Sequence, residues 1–165
     1  MKTIKNQKGV GMIEVLVALV LLAIGVLGFT ALQLRAVDAT TEANTRIQAM
    51  NLARDLAERI RTNRGALNTY INNINSGTIT ASTNCFTTSC TSTQMATFDS
   101  AQVGQKSAEL GLTVRMPVCQ GVNNGRRCVY VAWGDTTATN GTGQPNCTEG
   151  TTYVVNSQCL VVESY

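Results

Sequence analysis

The chain has 165 residues, with 13 Lys and Arg against 10 Asp and Glu and no histidine, which removes His-based catalytic triads, mixed Cys/His zinc sites and His-ligated haem. The excess positive charge sits in Lys2, Lys5 and Lys8 alone, so the remainder is balanced and carries no nucleic-acid footprint. The length fits one domain with a segment appended, and nothing in the composition indicates an enzyme, a cofactor or a metal.

Residues 15–34 form a run of 20 without a charge. As a helix it spans roughly 30 Å, the thickness of a bilayer's hydrocarbon core, and it exceeds the about 7 to 15 apolar residues of a secretory signal. Glu14 stands at its leading edge, five residues after Gly9, where an acid facing lipid demands a partner. The segment "KGVGMIEVLVALVLLAIGVLG", residues 8–28, resembles the class III signal of type IV pilins and pseudopilins. The resemblance implies a basic leader, residues 1–9, cleaved by prepilin peptidase between Gly9 and Val10. It further implies N-methylation of Val10 and pairing of Glu14 with a neighbouring subunit's N-terminal amine inside the filament, which offsets the desolvation of both charges. Val10 stands where the family most often has Phe. The helix-kinking Pro of major pilins is missing, with Gly25 and Gly28 the only weak points, which favours a minor subunit.

Beyond Leu34 the pattern turns amphipathic: Ala49, Leu52, Ala53, Leu56, Ala57 and Ile60 share one helix face. Glu42 with Arg46, and Asp55 with Arg59, are i, i+4 pairs with the acid first. One helix is predicted over residues 10–63, membrane and polymerisation half to 34, amphipathic half over 35–64. Arg59, Arg61 and Arg64 suit its C-terminus and Gly65 its stop. Residues 65–165 form the extracytoplasmic head.

Within the head, Leu67, Tyr70, Ile71 and Ile74 predict a short helix, followed by a polar loop with little to bury except Ile79 and Phe86. Ser92 or Thr93 is the expected cap of a second short helix through Met95, Phe98 and Val103. Leu112, Val114, Met116 and Val118 alternate as a half-buried strand, with Pro117 at an edge or end. Val129, Val131 and Trp133 alternate likewise, and Asn124-Gly125 is a hairpin signal between the two runs. Residues 152–155 and 160–163 are expected as a further strand pair around a turn at Asn156-Ser157. Between them "DTTATNGTGQPN", residues 135–146, reads as a solvated loop. Trp133 and Tyr130 read as core, and the glycosylation patterns at Asn140 and Asn146 do not amount to a site. The expected fold is α+β, a helix followed by an antiparallel meander.

Cys85, Cys90, Cys119, Cys128, Cys147 and Cys159 all follow the long helix, on the oxidising side of the membrane, and read as disulfides. Cys119 and Cys128 stand at the stem ends of the expected hairpin and face each other. Cys85 with Cys90 and Cys147 with Cys159 complete a sequential scheme, other pairings remaining formally open. Zinc competes, but there is no CxxC pair and no His.

The apolar segment, "CTSTQMATFDSAQ", "VYVAWGD" and the cysteine-rich head resemble minor pilins of the PilV kind, the pilus modification proteins. The resemblance implies the type IV pilin fold, a single pass of the bacterial inner membrane and then a place in the pilus at the cell surface. Its implied partners are prepilin peptidase, other minor pilins, the major pilin and the inner-membrane assembly platform, and its implied roles adhesion and twitching motility. Two other classes stay open: a minor pseudopilin of type II secretion, and a single-pass anchored periplasmic binding domain.

Overall fold

The computed structural model describes residues 11–77, 79–122 and 124–164. It divides into two units, Met1–Glu42 and Ala43–Tyr165. In the first, helix α1 (Met12–Thr62) begins, its first turn closed by the Glu14 N–H donating to the Gly11 carbonyl at 2.9 Å. Every described residue through 44 is exposed. The helix passes Gly25 and Gly28 unbroken, and a Cβ at either would meet nothing within 4 Å. In the uncharged run, the Thr30 hydroxyl donates to the Leu27 carbonyl at 2.9 Å, satisfying within the helix a group that lipid could not.

The second unit takes the rest of α1, whose residues Ala49, Leu52, Ala53, Leu56 and Ile60 are buried. A short 3₁₀ turn, Arg64–Ala66, leads into α2 (Leu67–Ser76), which buries Tyr70, Ile71 and Ile74. Gly77 ends α2 in the left-handed conformation, φ 79°, where a Cβ would also press on the Arg115 guanidinium at 3.1 Å. Helix α3 runs Ser92–Glu109, 18 residues rather than a short segment. Its cap is Thr91 instead of Ser92 or Thr93, because Thr91 and Gln94 close a reciprocal capping box. Its buried face consists of Ala96, Asp99, Ser100, Val103 and Ser107, mostly small or polar.

The main sheet has order β1-β2-β6, with β1 (Thr113–Arg115), β2 (Cys128–Ala132) and β6 (Cys159–Glu163), all antiparallel. The first strand is shorter than its alternation suggested: it ends before Pro117, and Val118 is 40% exposed and bridges only Arg127. Val129, Val131 and Leu160 pack against the helices with Leu112, Val114, Met116 and Trp133.

Two expectations for the sheet are corrected. The strand pair around Asn156 does not form: β5 (Thr152–Tyr153) pairs with β4 (Asn146–Glu149), and β6 pairs with β2. The Val154 N–H donates to the Cys147 carbonyl at 3.0 Å, so this stretch stays with β4, and Asn156 at φ 61° turns the chain away from it. Residues 135–146 are not a solvated loop either. They supply β3 (Thr137–Asn140), which runs parallel to β4 in a second sheet, β3-β4-β5. That sheet covers the other face of β2, so all five β2 residues are buried rather than alternate ones. Tyr130, Ala132, Ala138, Cys119, Cys128, Cys147 and Cys159 form this second core, and the Tyr130 hydroxyl meets the Thr148 hydroxyl at 3.0 Å.

Candidate functional site

Glu14 lies in the first turn of α1, exposed, at the start of a segment long and apolar enough to cross a membrane. Exposed beyond it are Val15, Leu16, Val17, Leu19, Val20 and further aliphatic side chains through Leu34. A surface this apolar around a whole helix circumference has no soluble monomeric explanation and needs lipid or other helices as its surroundings. Gly9 and Val10 lie outside the described residues.

The six cysteines form three disulfides. Cys85 and Cys90 close a loop ahead of α3 with Cα atoms 5.6 Å apart. Cys119 and Cys128 join the ends of the β1–β2 connection at 5.0 Å, where the Cys119 N–H donates to the Arg126 carbonyl and Cys128 N–H to the Pro117 carbonyl. Cys147 and Cys159, 5.8 Å apart, tie β4 of the second sheet to β6 of the first. In the chain-entropy account each such short loop contributes roughly 2 to 3 kcal/mol, which matters in a head whose second sheet has few apolar side chains.

A polar cluster that periodicity did not reveal joins the three helices. Arg59 of α1 donates to Asp99 of α3 at 2.6 Å, to Gln102 at 2.9 Å and to Asp55 at 2.9 Å. The Tyr70 hydroxyl of α2 donates to the other Asp99 oxygen at 2.5 Å. Arg59 therefore does more than complement the helix terminus. Burial opposes its charge, and the bonds to Asp99 and the field of Asp55 outweigh that opposition, so its pKa rises. Burial, and then the hydrogen bond to Asp99, push the Tyr70 hydroxyl well above the ordinary tyrosine range.

Because the folded state holds the Tyr70 proton more tightly than the unfolded chain, its contribution is complete below about pH 10 and is lost as pH rises further. Tyr70→Phe is expected to cost about 1.5 to 3 kcal/mol at neutral pH, the range for a bond to a charged group. The gap from wild type narrows in alkaline solution. Denaturant unfolding of the full chain in micelles across pH 7 to about 11 checks this; a gap constant with pH would contradict it.

Comparison with known proteins addresses the two parts of the chain separately. A family model described as Type IV pilin Tt1218 matches residues 31–101, and the prokaryotic N-terminal methylation motif matches residues 4–30. No curated protein and no solved structure matches the chain. The two matches support a type IV pilin, and the methylation motif implies processing by prepilin peptidase. The fold is that of a type IV pilin: a long N-terminal helix packed on small sheets and braced by disulfides. Pilins act as structural subunits rather than enzymes.

Proposed function

We propose that this chain is a minor pilin of the PilV kind, made as a prepilin and drawn from the inner membrane into a type IV pilus. The observation that carries the reading is the succession of matches, the methylation motif over 4–30 and the pilin model over 31–101, on a helix whose exposed apolar surface begins at Met12 and carries Glu14 in its first turn.

In this reading prepilin peptidase cuts between Gly9 and Val10 and methylates the new amine of Val10. The leader, residues 1–9, stays at the cytoplasmic face with its lysines, as the positive-inside rule requires. Residues 10–34 hold the subunit in the bilayer and then in the filament core, where Glu14 pairs with a neighbour's N-terminal amine. Residues 35–64 carry the head, 65–165, which the three disulfides stabilise outside the membrane. Other minor pilins, the major pilin and the inner-membrane assembly platform are its partners. The subunit primes assembly, with a place at the tip, and supports adhesion and twitching motility. The missing helix-breaking Pro supports a minor rather than a bulk role.

The test is the composition of sheared surface filaments from the native host. The chain is expected in that fraction, and absent from it when prepilin peptidase is inactivated. Recovery only in the envelope, with secretion of folded exoproteins lost on deletion, would point instead to a type II secretion pseudopilin.

A further inference from the structure

We propose that Asn124, in the connection between β1 and β2, is a site of spontaneous backbone modification, converted by water to aspartate and isoaspartate through a succinimide. The chain holds two Asn-Gly pairs, Asn124-Gly125 and Asn140-Gly141. In such a pair the glycine nitrogen can attack the asparagine Cγ, unhindered by a side chain on the attacking residue. Local sequence offers both pairs the same chemistry, and the fold treats them in opposite ways. Asn140 ends β3. Its Oδ1 accepts from the Thr148 hydroxyl at 2.9 Å, and the Gly141 N–H donates to the Thr148 carbonyl at 2.9 Å. Thr148 is buried in β4, so both reacting groups are held on a neighbouring strand, and both bonds must open before nitrogen and Cγ can meet. Asn146 also crowds the place, its Oδ1 2.8 Å from where a Cβ on Gly141 would stand.

Asn124 and Gly125 are exposed. The Asn124 Oδ1 accepts from the Arg126 N–H at 3.3 Å, a bond within its own turn that folds the side chain back over Gly125 and polarises the carbonyl under attack. Gly125 has φ 68°, and a Cβ there would meet nothing within 4 Å, so its nitrogen has room to approach. The step balances with water as the only co-reactant. The Gly125 nitrogen gives its proton to solvent and bonds to Asn124 Cγ, while the Cγ–Nδ2 bond breaks and ammonia leaves. Water then adds to either succinimide carbonyl. Breaking the bond from nitrogen to Cγ yields aspartate; breaking the bond from nitrogen to the Asn124 main-chain carbonyl carbon yields isoaspartate, which lengthens the main chain inside the loop that Cys119 and Cys128 close. Either product puts a new carboxylate in a turn that carries Arg126 and Arg127. There it competes with Glu163 for Arg126, an exposed pair 3.4 Å apart.

The reaction needs only the folded head and stands independently of filament assembly. The full chain, disulfides intact, is aged in dodecylphosphocholine micelles at mildly alkaline pH in heavy-oxygen water, and its peptides are mapped for a carboxylate that has taken up the label. Conversion at Asn124 is expected to be at least about tenfold faster than at Asn140, the factor imposed by two hydrogen bonds that must first open. Gly125→Ala is expected to lose most of that conversion, because its methyl group hinders the attacking nitrogen. With the disulfides reduced and the chain unfolded in denaturant, the two sites are expected to convert at similar rates. Absence of label at Asn124, equal rates in the folded chain, or a preference that survives unfolding overturns the proposal. None of these results bears on the pilin reading, which is judged by filament composition.

Discussion

Glu14→Ala is expected to leave the chain processed and membrane-bound but missing from sheared filaments. In a filament core built from residues such as Val15, Leu16 and Leu19, a subunit's N-terminal amine has few groups able to solvate it. In the proposed filament Glu14, four residues from a start at Val10, offsets that charge on a neighbour. Removing one partner of a buried charge pair costs about 3 to 5 kcal/mol, which lowers the incorporation equilibrium by about two to four orders of magnitude at each subunit step. Glu14→Gln is expected to fail as well, because the amide keeps the shape and loses the charge. Asp38→Ala, an exposed acid farther along the same helix, serves as the control and is expected to assemble normally. Normal assembly of Glu14→Ala would remove the charge-pairing role.

The second large effect belongs to the head. Asp99→Ala leaves Arg59 and the Tyr70 hydroxyl without their shared acceptor at a place where the aspartate side chain is 11% exposed. The expected loss is about 3 kcal/mol, the low end of the range for breaking a buried ion pair, because Arg59 is 30% exposed and water still reaches it. The loss is expected to fall well below that in Asp99→Leu/Arg59→Met, where both charges are replaced by apolar groups. Denaturant midpoints of the full chain in micelles measure both. A double variant as unstable as Asp99→Ala would show that packing, not the unpaired charge, sets the cost.

How far the sequence could be read follows from which interactions are local. The long helix was legible because its signals, an uncharged run and then an i, i+3, i+4 stripe from Ala49 to Ile60, are properties of consecutive residues. The length of α3 was not, since Asp99, Ser100 and Ser107 on its buried face look like solvent residues until the partner of Asp99, 40 positions away, is known. The second sheet was hidden for a related reason. Residues 137–149 bury mainly Ala138, Cys147 and Thr148, and they are held by side-chain bonds such as Thr148 to Asn140 at 2.9 Å, which leave no hydrophobic alternation. That sheet explains why β2 is buried on both faces although its own pattern suggested one. Phe86, 79% exposed, was misjudged because an aromatic in a polar loop invites burial, whereas the disulfide loop seats it on Phe98 from outside. In the N-terminal segment the motif was legible as a run of consecutive residues, and the methylation-motif match over residues 4–30 covers that stretch.

The most direct test of the account is the intact mass and N-terminal sequence of the chain purified, without reduction, from its native membrane. The account predicts a start at Val10, with one added methyl group, and a mass lower by the six hydrogens of three disulfides. A chain that begins at Met1 would be a plain membrane anchor, one that begins beyond Leu34 would have used the apolar run only as a signal, and either result would contradict the assignment.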